Sequence, residues 1–554
     1  MPVLSPSHVG PIPWSSDAQL PEYRSLPDLL DGRARDQPDH TAVRFNGQCT
    51  TYAELRDSSL AVAKVLRSLG VAPGTPVALM ADNSTKWLEV AFGILRCGAQ
   101  LHAFSTWSRA YDLHHLLSAS QIHVLVMEPK VGSTDLLAEL LSLVDDVHPS
   151  GAVISQNRNY PSLRNVVLLD SGFDATVQMA SKQFCTSDRE ELTQNQMGAR
   201  PVVFYTSGST RHPKAVPLEQ DAMIVNGYAI GSRMHLRSND RVWLGSPLFW
   251  SMGLANAAMA TFVNGAELVL QRRFTAEATL ATLRTERCTA AYLLPTMVAA
   301  LCDSVAAEIK QLTSLRTGIT IGRPDEVAKV IEVLGIRQIC NVYGSTEVYG
   351  NCCVTDADLS PDIRTVTQGL PLPGFEVRIT SELTGNVIQR GEVGDIQVRG
   401  RVMAGYIDAE ELTHEVETAD GWYRTGDTGR LRPDGMLEFV SRRSEMIKTS
   451  GINVSPLEVE TFVERCPGVR GVAVVGAPHP VKGQVVVAFV EGEGLVELDV
   501  ISFCKGAIAD YNVPYRVVVV ERLPLTATGK LARKELLDLA QATVSMPTEP
   551  IRPD

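Results

Sequence analysis

Apolar residues recur along this 554-residue chain in two alternating rhythms. Thr51-Tyr52-Ala53-Glu54 reads as a helix capping box, after which Leu55, Leu60, Ala63, Leu66 and Leu69 repeat at helical spacing until Gly70 stops them. A short buried strand is predicted over 77–80, following Pro76, and then a helix around 87–97 that runs into Gly98. From there, compact apolar runs at 122–127, 166–169, 202–205, 268–270, 290–294 and 339–342 alternate with helix-period stretches. That alternation predicts an α/β fold: a large N-terminal domain of mostly parallel sheets flanked by helices, with ligands gathering at the carboxyl ends of the strands.

The rhythm changes near 441. Residues 441–448 are polar and charged, and beyond them a helix at 457–463 and strands at 472–475, 485–490 and 517–520 read as a small, mobile α+β C-terminal domain. The division expected is a large domain over 1–440, a hinge at 441–445, a small domain over 446–545 and a tail at 546–554, with 540–554 solvated and an extended arm to about residue 25. At 60.2 kDa the chain is too long for one core, which agrees with at least two domains. Hydrophobic residues make up 44% and charged residues 21%, the balance of a soluble globular protein. A net charge of -12 argues against a nucleic-acid binder or a polybasic membrane-surface protein. The ten cysteines form no C-x-x-C pair, which suits thiols in a reducing cytoplasm. No signal peptide is read at the N-terminus, and no apolar run approaches the roughly 18 residues of a membrane span.

The candidate chemistry centres on residues 205–216, Y-T-S-G-S-T-R-H-P-K-A-V, directly after a predicted strand. Thr206, Ser207, Ser209 and Thr210 crowd around Gly208, and Lys214 follows. Hydroxyls and bare amides donate to phosphate oxygens, a glycine lets the backbone approach, and an ammonium offsets charge. The segment is not the G-x-x-x-x-G-K-[ST] loop of the P-loop kinases, so a kinase of that type is disfavoured. Taken alone, a Ser/Thr-rich surface turn explains it as well.

Four further stretches change that balance: N-V-Y-G-S-T-E at 341–347, G-W-Y-R-T-G-D at 421–427, the segment 441–460, and 523–536. Together with 205–216, in this order over most of the chain, they resemble the adenylate-forming superfamily of acyl- and aryl-CoA ligases, peptide-synthetase adenylation domains and luciferases. The resemblance implies an enzyme that activates a carboxylic acid with ATP and Mg²⁺ as an acyl-adenylate, releases pyrophosphate, and passes the acyl group to the thiol of coenzyme A. A phosphopantetheine on a carrier protein or another nucleophile could replace coenzyme A, and a ligand-binding homologue without turnover is the third reading.

By the same resemblance, the Tyr343 ring stacks on adenine beside Gly344, Asn341 bonds its exocyclic amine, Thr346 touches phosphate, and Glu347 holds Mg²⁺. Asp427 and Arg442 reach the ribose, where two vicinal hydroxyls suit one carboxylate acceptor. Gly322, Arg323 and Pro324 stand where relatives have a turn lining the adenine and acyl pockets. Arg323 replaces a small residue there, and pointing to solvent is preferred for it over gripping an acidic group. Lys530 is the expected adenylation lysine, carried in on a C-terminal loop. Lys448, Ser450 and Gly451 serve the second half-reaction, the glycine making room for the pantetheine thiol. Trp250 is either an aromatic gate between the acyl pocket and the thiol tunnel or a packed core tryptophan, and Phe249, Gly253 and Tyr349 are further pocket candidates. Arg211 and Ala215 replace usual glycines in the phosphate segment, and Ser441 and Ser444 depart from the usual hinge residues.

Overall fold

A computed structural model of the chain describes residues 20–144, 159–182, 201–206, 213–322, 324–381, 384–442, 447–454, 456–524 and 532–545. Among these residues the large unit is built on three sheets. The first runs Asn165–Leu168, Val124–Met127, Pro76–Met80, Gln100–Ala103, Val202–Thr206 and Lys214–Leu218, parallel except for its last pair. The second has nine strands, parallel from Gln338–Tyr343 through Thr317–Thr320, Ala290–Leu293, Arg241–Leu244 and Glu267–Leu270 to Thr41–Phe45, with antiparallel edges. The third is a four-stranded antiparallel sheet over Phe375–Thr380, Gly394–Gly400, Tyr423–Leu431 and Leu437–Arg442.

The helices form where the pattern asks. Thr51 Oγ1 accepts from the Glu54 amide at 3.1 Å while Glu54 Oε2 accepts from the Thr51 amide at 2.8 Å, so both ends of the capping box are closed at the start of Tyr52–Ser68. That helix packs on Thr85–Arg96, and the approach is close enough that a Cβ on Gly93 would fall 2.5 Å from Val62 Cγ1. A further helix, Leu26–Asp36, begins at the expected end of the N-terminal arm, where Ser25 Oγ accepts from the Asp28 amide and caps it.

The small unit is a sheet in which Val469–His479 and Gly483–Gly492 pair as a long hairpin, with Arg516–Val520 parallel to the second strand. The period of two is used fully. Val472, Val474, Val486 and Ala488 meet one core, while Ala473, Val475, Val485 and Val487 meet another. The second core is covered by the helix Arg533–Ser545 through Leu536 and Ala540, both 0% exposed. This corrects the expectation that 540–554 is a solvated tail: residues 540–545 are helix, packed by one apolar position per turn. Ser441 and Arg442, expected to open the hinge, are strand residues paired with Thr428 and Asp427.

Candidate functional site

One cavity of about 1430 Å³ lies where the carboxyl ends of Val202–Thr206 and Gln338–Tyr343 face the small unit. Of the expected site residues, Thr206, Lys214, Phe249, Trp250, Gly322, Pro324, Tyr343, Gly344, Thr346, Glu347, Asp427, Lys448 and Gly451 all line it. Ser207, Gly208, Ser209, Thr210, Arg323 and Lys530 lie outside the described residues, as do Arg211, Ser444 and the side chain of Arg442.

The end of the cavity where the nucleotide is expected is built on the turn after Gln338–Tyr343. Gly344 is required there because a Cβ would fall 2.3 Å from the Gly350 carbonyl oxygen. Tyr343 donates its phenol to Asp427 Oδ2 at 2.9 Å, and its ring lies 6.0 Å from that of Phe439. Burial, and then the charge of Asp427, holds that phenol protonated far above its ordinary range. Glu347 Oε1 accepts from the Tyr406 phenol at 2.9 Å, and the Lys214 ammonium lies 4.8 Å from the centre of the Tyr406 ring. Thr346 Oγ1 lies 3.1 Å from Ser251 Oγ. Thr206 Oγ1 and Ser345 Oγ, also at the cavity, are buried and have no hydrogen-bond partner among the described residues. Buried hydroxyls are rarely left so, and two of them beside a lysine fit the oxygens of a polyphosphate. The donor set of one carboxylate and one hydroxyl, all oxygen, fits Mg²⁺ sharing its remaining positions with phosphate and water.

Several sequence assignments are corrected by side-chain direction. Asn341 is 0% exposed, and its side-chain amide donates to the Thr367 carbonyl at 3.0 Å while accepting from the Val342 amide, so it braces the strand end instead of facing the cavity. Gly253 does not line the cavity: it lets the chain fold back on itself, since a Cβ would fall 2.0 Å from the Pro247 carbonyl oxygen. Tyr349 is buried behind the wall, with its hydroxyl accepting from the Glu219 amide at 3.1 Å. Ser450 contributes its carbonyl, which accepts from Thr296 Oγ1 at 3.3 Å. Both readings of Trp250 hold in part: it lines the cavity and also packs edge-on against Trp107 at 5.0 Å.

Sequence reasoning missed Ser345, Tyr406, Trp107 and Tyr511. Ser345 stood inside a motif already in hand, whereas Tyr406 belongs to no motif and is brought to Glu347 only by the fold. Trp107 and Tyr511 come from different units, and their rings meet at 5.9 Å on the cavity wall.

Beside that aromatic contact the two units bury a pair of acids. Asp112, from the helix Ala110–Ser120, accepts from the Arg109 and Ala509 amides, and Glu458, from Pro456–Val463, accepts from Asn512 Nδ2 at 3.0 Å. Arg109 reaches Asp510 at 3.6 Å, and Arg465 lies over the Tyr111 ring. Burial and then the facing Asp112 push Glu458 from an ordinary 4.5 up to about 8, and burial pushes Asp112 from 3.8 up to about 6. Asp112 faces Glu458 across the two units and raises its value, so the docked arrangement binds more protons than one in which the two acids are apart. Docking is therefore favoured at low pH and weakens as pH rises from about 4 to about 8. Limited proteolysis of the 443–446 connection across that range should show faster cleavage toward pH 8, and Glu458→Gln should flatten the dependence. A profile identical in the variant would exclude this acid pair as its source.

Residues 30–407 match the family model described as AMP-binding enzyme, and residues 458–530 match the AMP-binding enzyme C-terminal domain. The chain is 31% identical to a putative acyl-CoA synthetase, YngI, of Bacillus subtilis, over 93% of its own length and 96% of the relative's. Among solved structures it is similar to the o-succinylbenzoate CoA synthetase of Bacillus subtilis bound with its product analogue (24% identity, TM-score 0.77, 92% and 97% coverage). It is also similar to an amide bond synthetase of Marinactinospora thermotolerans (26% identity, TM-score 0.76, 92% and 99% coverage).

Proposed function

The chain belongs to the AMP-binding enzyme family, and from that premise we propose an AMP-forming acid–thiol ligase that makes an acyl-CoA in two steps. In the first, a carboxylate oxygen of the acid attacks the α-phosphorus of ATP and pyrophosphate leaves. In the second, the thiol of coenzyme A attacks the acyl carbonyl and AMP leaves. The observation that carries this reading is the meeting of buried hydroxyls with no partner among the described residues, a carboxylate and lysines from both units around one cavity.

Each residue has a task set by charge. Thr206 and Ser345 donate to phosphate oxygens, and Lys214, supported on the Tyr406 ring, offsets the polyphosphate charge. Glu347, with Thr346 beside it, would hold Mg²⁺, which would supply charge neutralisation for the phosphates. Asp427 takes the ribose hydroxyls, and Tyr343 fixes that carboxylate while offering its ring to adenine. Lys530 arrives from the small unit for adenylation. For thiolysis Gly451 stands at the cavity edge against Leu294 and Thr296, where a bare backbone leaves room for a pantetheine arm. A hinge after the paired strand residue Arg442, between the large and the small unit, supplies the turn between steps, and the free cysteines among the described residues support a cytoplasmic setting. Among the described residues no helix is long and apolar enough to cross a membrane.

Incubation with ATP, Mg²⁺ and a panel of acids is expected to release pyrophosphate with at least one acid, and thioester should follow when coenzyme A is added. The likeness to an amide bond synthetase favours a second reading, in which an amine replaces the thiol. Adenylate that accumulates with coenzyme A present, but is consumed by amines, would establish that reading and defeat the first.

A further inference from the structure

We propose that Asn256 and Asn351 form a polar end to the acyl pocket that selects carboxylic acids bearing a neutral hydroxyl group, an inference that rests on the ligase reading above. Asn256 sits in the π-helix Met252–Ala258, whose widened turn is marked by the Asn256 amide donating to the Ser251 carbonyl at 2.9 Å. This segment follows Phe249 and Trp250 along the same wall of the cavity, and both Asn256 and Asn351 line it.

The turn carrying Asn351 is held rigidly. Tyr349 has φ 61° and Gly350 φ 85°, and the Tyr349 carbonyl accepts from Asn256 Nδ2 at 2.7 Å and from Asn226 Nδ2 at 3.1 Å. Asn226 also donates to the Asn351 carbonyl at 3.1 Å. The Asn256 amide lies against Gly350, where a Cβ would fall 2.1 Å from its Oδ1. Asn256 thus packs against the glycine that directly precedes Asn351 in the chain, and both asparagines line the cavity.

Each leaves one atom unused. Asn256 Oδ1, in a residue 0% exposed, is an acceptor without a donor, and Asn351 Nδ2, in a residue 6% exposed, is a donor without an acceptor among the described residues. A buried amide left unpaired destabilises the fold, so a complementary group is expected at the site. Among the described residues neither side chain bonds an ionised group, which points to a neutral ligand. A hydroxyl donates and accepts through one oxygen, and so can serve either the free acceptor or the free donor.

The test compares matched acids that differ only by a hydroxyl, placed at successive positions along aryl and alkyl chains, in ATP–pyrophosphate exchange. For the best pair, kcat/KM should favour the hydroxy acid by about 100-fold or more, because the deoxy acid leaves both amides unpaired. Asn351→Leu removes the donor but not the backbone bond that holds the turn, and should shrink that ratio to about tenfold or less. If the variant does not fold, the wild-type ratio still decides. A wild-type ratio near one at every position would overturn the proposal while leaving the ligase reading intact. Absence of exchange with every acid tested would overturn both.

Discussion

Replacing Lys530 with alanine is expected to lower acyl-adenylate formation by about 100-fold or more, on the order of 3 kcal/mol of transition-state stabilisation. Attack of a carboxylate on a phosphate brings two anions together, and a point charge shared between them is worth most as the new bond forms. The lysine belongs to the small unit, so it can be delivered for this step and withdrawn for the next. Pyrophosphate exchange should therefore fall steeply, while thioester formation from supplied acyl-adenylate should be spared. Exchange that persists in the variant would remove Lys530 from the mechanism.

Glu347→Gln should have an effect of similar size, with the rate down by about 100-fold and the Mg²⁺ requirement shifted upward. The amide still accepts from the Tyr406 phenol, so the contact seen at 2.9 Å can survive and the change acts on charge. A Mg²⁺ titration of pyrophosphate exchange is the measurement. If the variant saturates at the same Mg²⁺ concentration as the wild type, the metal is held elsewhere.

Much of the fold was legible because buried strands and amphipathic helices leave different periods in the chain. The capping box at Thr51 and Glu54 closes as read, and the predicted strands of the large unit fall within a residue or two of those formed. What sequence order could not give is side-chain direction. Asn341 opens the nucleotide motif and Tyr349 follows it, yet both turn into the core, where neighbouring backbone groups take up their hydrogen bonds. Asn256 is brought to the wall by a π-turn, which a 3.6-residue period does not describe. Asp112 and Glu458 lie far apart in the chain and look like ordinary surface acids until the units meet. The last helix was hidden for a related reason: Leu536 and Ala540 are buried while the neighbouring Leu537 and Leu539 are exposed, so its apolar residues mark no single face without the sheet they cover.

Tyr511 of the small unit furnishes part of the same chamber as Trp107 and Trp250. In the proposed cycle the lobe turns between the two steps, so that panel would move with it and the room offered to the acyl chain would differ between the two halves. An acid can pass the first inspection and be refused at the second. Preference scored by nucleotide turnover and preference scored by finished product then become separate properties, open to separate evolution.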